Sequence, residues 1–248
     1  MINHLVIVPY RDRESHLKYF LNNVFPLMKK YLMNTRLVVI EQNEENLFNK
    51  GALINIAYDI FKDKAESLII HDIDIYPNEK CIKKYYKQDS KGVIGICVSP
   101  SNTLGGVVKI SNKHFNEVNG FPNNFWGWGV EDKAFQNRVE HRKIHIKKNF
   151  IRSKGRFNEY FISDETNHSR IRNKKSYRRK HMTHYEWWNN FSSKTRESIL
   201  NSTGINNLRY QINSKKNYDN YDHYIVKIIR SKDNRNFYEK IRNYFIYY

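Results

Sequence analysis

SLIIHDID, residues 67–74, is the stretch that decides the fold. Ser67, Leu68, Ile69 and Ile70 form a small or apolar run, and the acids Asp72 and Asp74 follow at once. That order reads as a buried strand emerging at its carboxyl end with carboxylates exposed, which is where open α/β sheets place their ligands. Carboxylates at i and i+2 point to the same side of an extended chain, so Asp72 and Asp74 can share a divalent cation and its phosphate ligands. On these residues alone, a solvated turn ahead of Pro77 is an equal reading.

Working outward, apolar runs alternate with helical spacing. Residues 4–9 read as a strand. Residues 14–31 carry Leu17, Phe20, Leu21, Val24 and Leu27 at helical intervals, with a kink expected at Pro26. Residues 36–41 give a second strand, and residues 49–61 a helix with Leu53, Ile56, Ala57 and Ile60 on one face. With residues 67–71 as the third strand, the alternation predicts parallel pairing through helical crossovers. Residues 92–98 and 107–110 add strands, and 113–118 and 132–141 add helices. The segment 152–198 is polar and basic and reads as an irregular acceptor-side region or a mobile loop. Residues 210–213 and 224–229 read as late strands, and there is no internal repeat.

FWGWGVED, residues 125–132, packs two indoles, two glycines and two adjacent acids into eight positions. A core strand would not place glycine at every other position, and a solvated loop would not gather Phe125, Trp126 and Trp128. The chemical reading is a sugar platform beside a general base. Trp128 offers a flat apolar face to a pyranose ring, Gly127 and Gly129 allow close backbone approach, and Glu131 and Asp132 can bind hydroxyls or take a proton. The plainer alternative is an aromatic corner capped by a helix whose acidic first turn suits the helix dipole.

Five blocks in order, VPYRDR (8–13), FNKGALIN (48–55), HDID (71–74), GGV (105–107) and GFPNNFWGWGVED (120–132), resemble the β-1,4-galactosyltransferase family of inverting, metal-dependent glycosyltransferases. The resemblance runs from about residue 4 to about residue 229 and implies one GT-A-like (Rossmann-like) α/β domain, a mixed, mostly parallel sheet flanked by helices. It implies a donor half of about 1–110 and an acceptor and catalytic half of about 111–229. The basic, aromatic tail 230–248 has no counterpart. The implied activity is transfer of galactose or N-acetylgalactosamine from a UDP-sugar to a hydroxyl of a glycan acceptor.

Carried over residue by residue, the resemblance places Pro9, Arg11, Arg13, Phe48, Asp72, Thr103, Gly106 and Trp128 around the sugar donor. It places Trp128, Gly129, Glu131 and Asp132 around the acceptor, with Asp132 as the base and Glu131 orienting the acceptor. Asp74 is its metal carboxylate, and DETNHSR (164–170) supplies His168 and Glu165 as further ligands. Animal relatives commonly carry Met where Glu165 stands, and a carboxylate is a harder ligand than a thioether, so Mg²⁺ is expected to serve beside Mn²⁺. Thr103 stands where the family often has Tyr, which leaves room for an N-acetyl group. Lys133 replaces a frequent third acid and puts the usual acceptor in question. On the residues alone, a solvated strand end is the weaker alternative for Arg11 and Arg13, and Phe48 is equally a helix-entry staple. His181 and His184 form a rival metal pair that no carboxylate motif supports, and Trp187, Trp188 and Phe191 are acceptor-side candidates.

The 248 residues suffice for a sizeable core, with 18 Tyr and 14 Phe offsetting a modest aliphatic content. A net charge of +18 draws nucleic acid, an anionic glycan, a membrane surface or a nucleotide diphosphate without choosing among them. RIRNKKSYRRKH (170–181) motivates a nucleic-acid-binding alternative, which Asp72, Asp74, Glu131 and Asp132 oppose, since four carboxylates repel phosphate. A catalytically silent glycan-binding relative is opposed by the joint presence of Asp74, His168 and Asp132. No apolar stretch is long enough to span a bilayer, and a cytoplasmic location is expected. Cys81 and Cys97 build no disulfide framework and read as small buried hydrophobes, with a single bridge between them left open.

Overall fold

The apolar runs around residues 5, 38 and 69 become three neighbouring parallel strands, β1 (Ile2–Tyr10), β2 (Thr35–Gln42) and β3 (Ala65–His71). The computed structural model describes residues 1–43, 47–89, 91–127, 129–162 and 192–229. Side chains on these strands alternate between two cores. Leu5, Ile7, Val38, Ile40, Leu68 and Ile70 enter one, while Val6, Val8, Leu37, Val39 and Ile69 enter the other. Burial on both faces explains why the runs are continuously apolar, and each such side chain stabilises the fold by about 1.5–3 kcal/mol relative to exposure.

The remaining strands are β4 (Tyr76–Pro77), β5 (Val93–Val98), β6 (Val107–Ser111), β7 (Ile146–Ile151), β8 (Phe161–Ile162), β9 (Tyr210–Asn217) and β10 (Tyr221–Ile228). Among the described residues one eight-stranded sheet runs in the order β7-β5-β6-β3-β1-β2-β10-β9, and β4 pairs with β8 as a separate ribbon. β6 lies antiparallel to β3 and β5, and β9 antiparallel to β10, so the sheet is mixed as expected.

The described helices are α1 (Glu14–Tyr19), α2 (Phe25–Tyr31), α3 (Lys50–Phe61), α4 (Glu79–Cys81), α5 (Asn112–Glu117), α6 (Glu131–His141), α7 (Phe157–Tyr160) and α8 (Ser193–Ser202). The irregularity expected at Pro26 takes the form of a π-helical stretch, Phe20–Val24, just before it, with Pro26 in the first turn of α2 where its missing N–H costs nothing. A second π-helical stretch, Ile82–Tyr86, follows α4. Cys81 and Cys97 are both free and buried in the same core, and burial pushes the Cys97 thiol up to about 12. No described helix is long and apolar enough to cross a membrane.

Candidate active site

Strand β3 delivers Asp72 to the carboxyl edge of the sheet, and the first turns of α3 and α6 bring Lys50 and Asp132 to meet it. The Lys50 ammonium lies 2.8 Å from Asp72 Oδ1 and 3.0 Å from Asp132 Oδ1, with only 11% of its side chain exposed. Burial alone pulls this ammonium down, but the carboxylates of Asp132, Asp72 and Glu131 outweigh it and hold Lys50 above its ordinary value. Burial and the Asp132 charge push the Glu131 carboxyl up to about 8, and its Oε2 has no hydrogen-bond partner among the described residues. Asp132 is raised by burial, with Lys50 opposing the shift. One ammonium thus bridges two carboxylates whose charges would otherwise repel each other, with the Glu131 carboxyl buried beside them.

The backbone around Asp132 is shaped for close approach. A Cβ at Gly105 would lie 2.1 Å from Asp132 Oδ2, so only glycine leaves the carboxylate its present place. Gly127, Gly129 and Val130 all have positive φ, at 96°, 107° and 75°. Val130 is the N-cap of α6, and a β-branched residue in the left-handed region is strained, a device that clusters at functional sites. Phe125 and Trp126 are buried and anchor this segment, and Gly127 N donates to Phe48 O at 2.7 Å.

The extended D-x-D geometry read from the sequence is corrected. β3 ends at His71, and the acids sit in a turn in which Ile75 N donates to Asp72 O at 3.3 Å. A turned backbone sends the two carboxylates to different partners. Asp72 meets Lys50, whereas Asp74 Oδ2 lies 3.3 Å from Arg152 Nη2 and 3.9 Å from Arg13 Nη1. The Arg11 guanidinium stands 5.5 Å from the centre of the Phe48 ring, which joins two residues assigned to the nucleotide. Pro9 is buried within β1 just before them. The Thr103 hydroxyl bonds to Ser99 Oγ at 2.6 Å in the loop leading to Gly105 and Gly106. Gly106 O accepts from Asp72 N at 2.8 Å.

Trp128, Glu165 and His168 lie outside the described residues, as do Trp187, Trp188, Phe191, His181, His184 and the tail 230–248. Among the described residues no group of three His, Cys, Asp or Glu side chains is placed to hold a metal, and Asp74 is the one expected ligand on view.

Two features escaped the sequence reading. Lys50 and Arg152 add to the positive charge of Arg11 and Arg13, and neither stands out in a chain with 43 Lys and Arg. A buried amide network also ties α3 to the segment before FWGWGVED. Asn49 caps α3 through Ala52 N at 2.9 Å and donates to Asn123 O at 2.7 Å. Asn55 accepts from Phe121 N at 2.9 Å and donates to Phe121 O at 2.7 Å. Asn49 and Asn55 in one block and Asn123 in another were the available signal, since buried amides must find partners.

Comparison with known proteins bears on the family and the fold. A family model described as the N-terminal region of glycosyl transferase group 7 matches residues 2–87, and one described as the N-terminal domain of galactosyltransferase matches residues 94–161, together more than half of the chain. The chain belongs to the β-1,4-galactosyltransferase family. Within that family it is 34% identical to human β-1,4-galactosyltransferase 4 over 149 residues, 57% of this chain and 43% of the relative. It is 28% identical to human β-1,4-galactosyltransferase 1 over 232 residues, 90% of this chain and 54% of the relative. The chain spans about half the length of these curated β-1,4-galactosyltransferases. A crystal structure of Drosophila β-1,4-galactosyltransferase 7 with manganese, UDP-Gal and xylobiose superposes with a TM-score of 0.70 at 22% identity, covering 94% of this chain and 97% of that one. That likeness establishes the GT-A fold.

Proposed function

We propose that this protein is an inverting glycosyltransferase that moves galactose or N-acetylgalactosamine from a UDP-sugar to a hydroxyl of a glycan acceptor. The observation that carries the reading is the single Lys50 ammonium within 3.0 Å of both Asp72, at the donor end, and Asp132, the base. Reaction needs the acceptor hydroxyl and the anomeric carbon held together, and these two carboxylates mark the two sides of that encounter. The acceptor oxygen forms its bond to the anomeric carbon as the bond to the diphosphate oxygen breaks. The hydroxyl proton passes to an Asp132 carboxylate oxygen. Arg11, Arg13 and Arg152 face the departing diphosphate, where guanidinium groups suit phosphate oxygens.

Asp74, Glu165 and His168 would hold the cation. Asp74 stands just past the carboxyl end of β3 with Arg152 and Arg13 at 3.3 and 3.9 Å from its Oδ2, so a cation there would take the place of two guanidinium groups that could then pair with the diphosphate oxygens. Two carboxylates and an imidazole suit Mn²⁺ and also Mg²⁺, either of which would neutralise charge on the leaving diphosphate. Named relatives support the reading: the human proteins are called galactosyltransferases, and the Drosophila protein was crystallised with manganese, UDP-Gal and xylobiose.

A panel of UDP-sugars incubated with Mn²⁺ or Mg²⁺ and no acceptor tests the proposal. Slow metal-dependent hydrolysis of UDP-galactose or UDP-N-acetylgalactosamine is the expected result, and no hydrolysis of any UDP-sugar would leave a silent glycan binder. Glu165→Met should shift activity toward Mn²⁺ by replacing a hard oxygen with a soft sulfur. An unchanged ratio of Mn²⁺ to Mg²⁺ activity would remove Glu165 from the site.

A further inference from the structure

We propose that His71 and Tyr86 form a buried positioning pair that fixes the turn carrying Asp72 and Asp74 in the shape that binds the cation. The proposal rests on the metal-dependent reading above. Both side chains are fully buried, and His71 is the last residue of β3, so it sits directly against the turn. His71 Nδ1 lies 2.8 Å from Asp72 O, and a carbonyl only accepts, so Nδ1 carries the proton. Nε2 is then an acceptor, and the Tyr86 hydroxyl donates to it at 2.9 Å.

The pair sets one tautomer and one ring orientation, as the partners of buried imidazoles commonly do. Asp72 O receives a second bond from Ile75 N, and Asp72 N donates to Gly106 O, so the Asp72 peptide groups are held from three directions. The backbone path from Asp72 to Asp74 is thereby fixed without using either carboxylate; these meet Lys50 and the two guanidinium groups instead.

The surrounding elements are built around the same imidazole. Phe20, which opens the first π-helical stretch, meets the His71 ring edge-on at 5.0 Å, and Tyr86 closes the second. π-helical stretches are rare and frequent at functional sites, and here two of them bring a ring onto one histidine. A plain core role would ask only for a satisfied polar pair. It would not predict that loss of the pair changes metal affinity.

Mn²⁺ binding in the presence of UDP, measured on the full chain by the electron paramagnetic resonance of free Mn²⁺ well below the unfolding temperature, separates the two roles. Tyr86→Phe keeps the ring and removes the hydroxyl. His71→Leu removes the bond to Asp72 O, whereas His71→Asn offers an amide N–H in place of Nδ1. Outer-shell losses typically cost about 10- to 100-fold in metal affinity, so Tyr86→Phe and His71→Leu should weaken Mn²⁺ by that order and His71→Asn should stay within a few fold of wild type. Wild-type Mn²⁺ affinity in Tyr86→Phe and His71→Leu would overturn the proposal, whatever their thermal stability. If His71→Leu does not fold, Tyr86→Phe decides. Asp74→Asn serves as control: if it too binds Mn²⁺ normally, the metal site itself is wrongly assigned and this inference falls with it.

Discussion

Asp132 and Glu131 are adjacent in the chain yet differ in what they can do. Asp132 shares Lys50 with Asp72 and keeps 21% of its side chain exposed, so it can reach a ligand, whereas Glu131 is buried beside it. Asp132→Asn should therefore cut transfer by about 10²- to 10⁴-fold, the usual cost of losing a general base, while UDP-sugar binding changes by no more than a few fold. Near-normal turnover in the Asn protein would exclude Asp132 as the base. Glu131 yields a test of a different kind. Burial raises its carboxyl from an ordinary 4.5 to about 8, so the unfolded chain releases this proton at lower pH than the folded one does. The folded state is favoured fully below about pH 4.5 and loses that advantage as pH rises toward 8. Glu131→Gln has no proton to lose. Its thermal midpoint, compared with wild type at pH 5, 6.5 and 8, should gain relative stability as pH rises, and a constant difference would show that Glu131 ionises normally. The acids of this site were legible because carboxylates are scarce in a basic chain. Lys50 was not, because its meaning comes from two partners far away in sequence.

At the scale of elements, the loop ahead of β6 and the first turn of α6 are fitted to each other at Gly105. An alanine there meets the far end of a side chain, since the conflict is with Asp132 Oδ2 and Cγ and not with backbone. The carboxylate can swing aside at little cost to the fold, but it then leaves the acceptor side. Gly105→Ala should keep its thermal midpoint within a few degrees of wild type and lose most turnover. Retained turnover would mean that Asp132 tolerates a second position. The strands β1, β2 and β3 were readable because both of their faces are buried, which makes each run apolar throughout. β7, IKKNFI, was missed for the opposite reason. Among the described residues it is an edge strand paired only with β5, with lysines at two of its six positions, and such a pattern resembles solvated loop. The π-helical stretches were unreadable because their sequences keep helical apolar spacing, which leaves no local mark of the wider turn.

Across the whole molecule the sheet has two kinds of ending. On the β7 side the edge is short, while on the other side β2 is covered by the late hairpin of β10 and β9. β10 is firmly attached: Arg36 Nε and Nη2 both donate to Asp222 at 2.7 Å, and His223 Nε2 lies 2.7 Å from Glu41 Oε2. Tyr224, Val226 and Ile228 enter the same core as Leu5 and Ile7. The sequence showed both late strands but not that they cover β2, because a pairing between residues 184 positions apart leaves no local pattern. Two truncations follow from this arrangement. Stopping after Ile229 removes 230–248, which lies outside both matched family regions and beyond the last described strand. That protein should unfold at a midpoint close to the full chain and keep donor hydrolysis. Stopping after Leu208 removes β9 and β10, strips three side chains from the core and bares the edge of β2, an open template for association. It should be insoluble or aggregate on expression. A folded, soluble but inactive protein ending at Ile229 would show that residues 230–248 belong to the catalytic domain and that its limit must be moved to the carboxyl end.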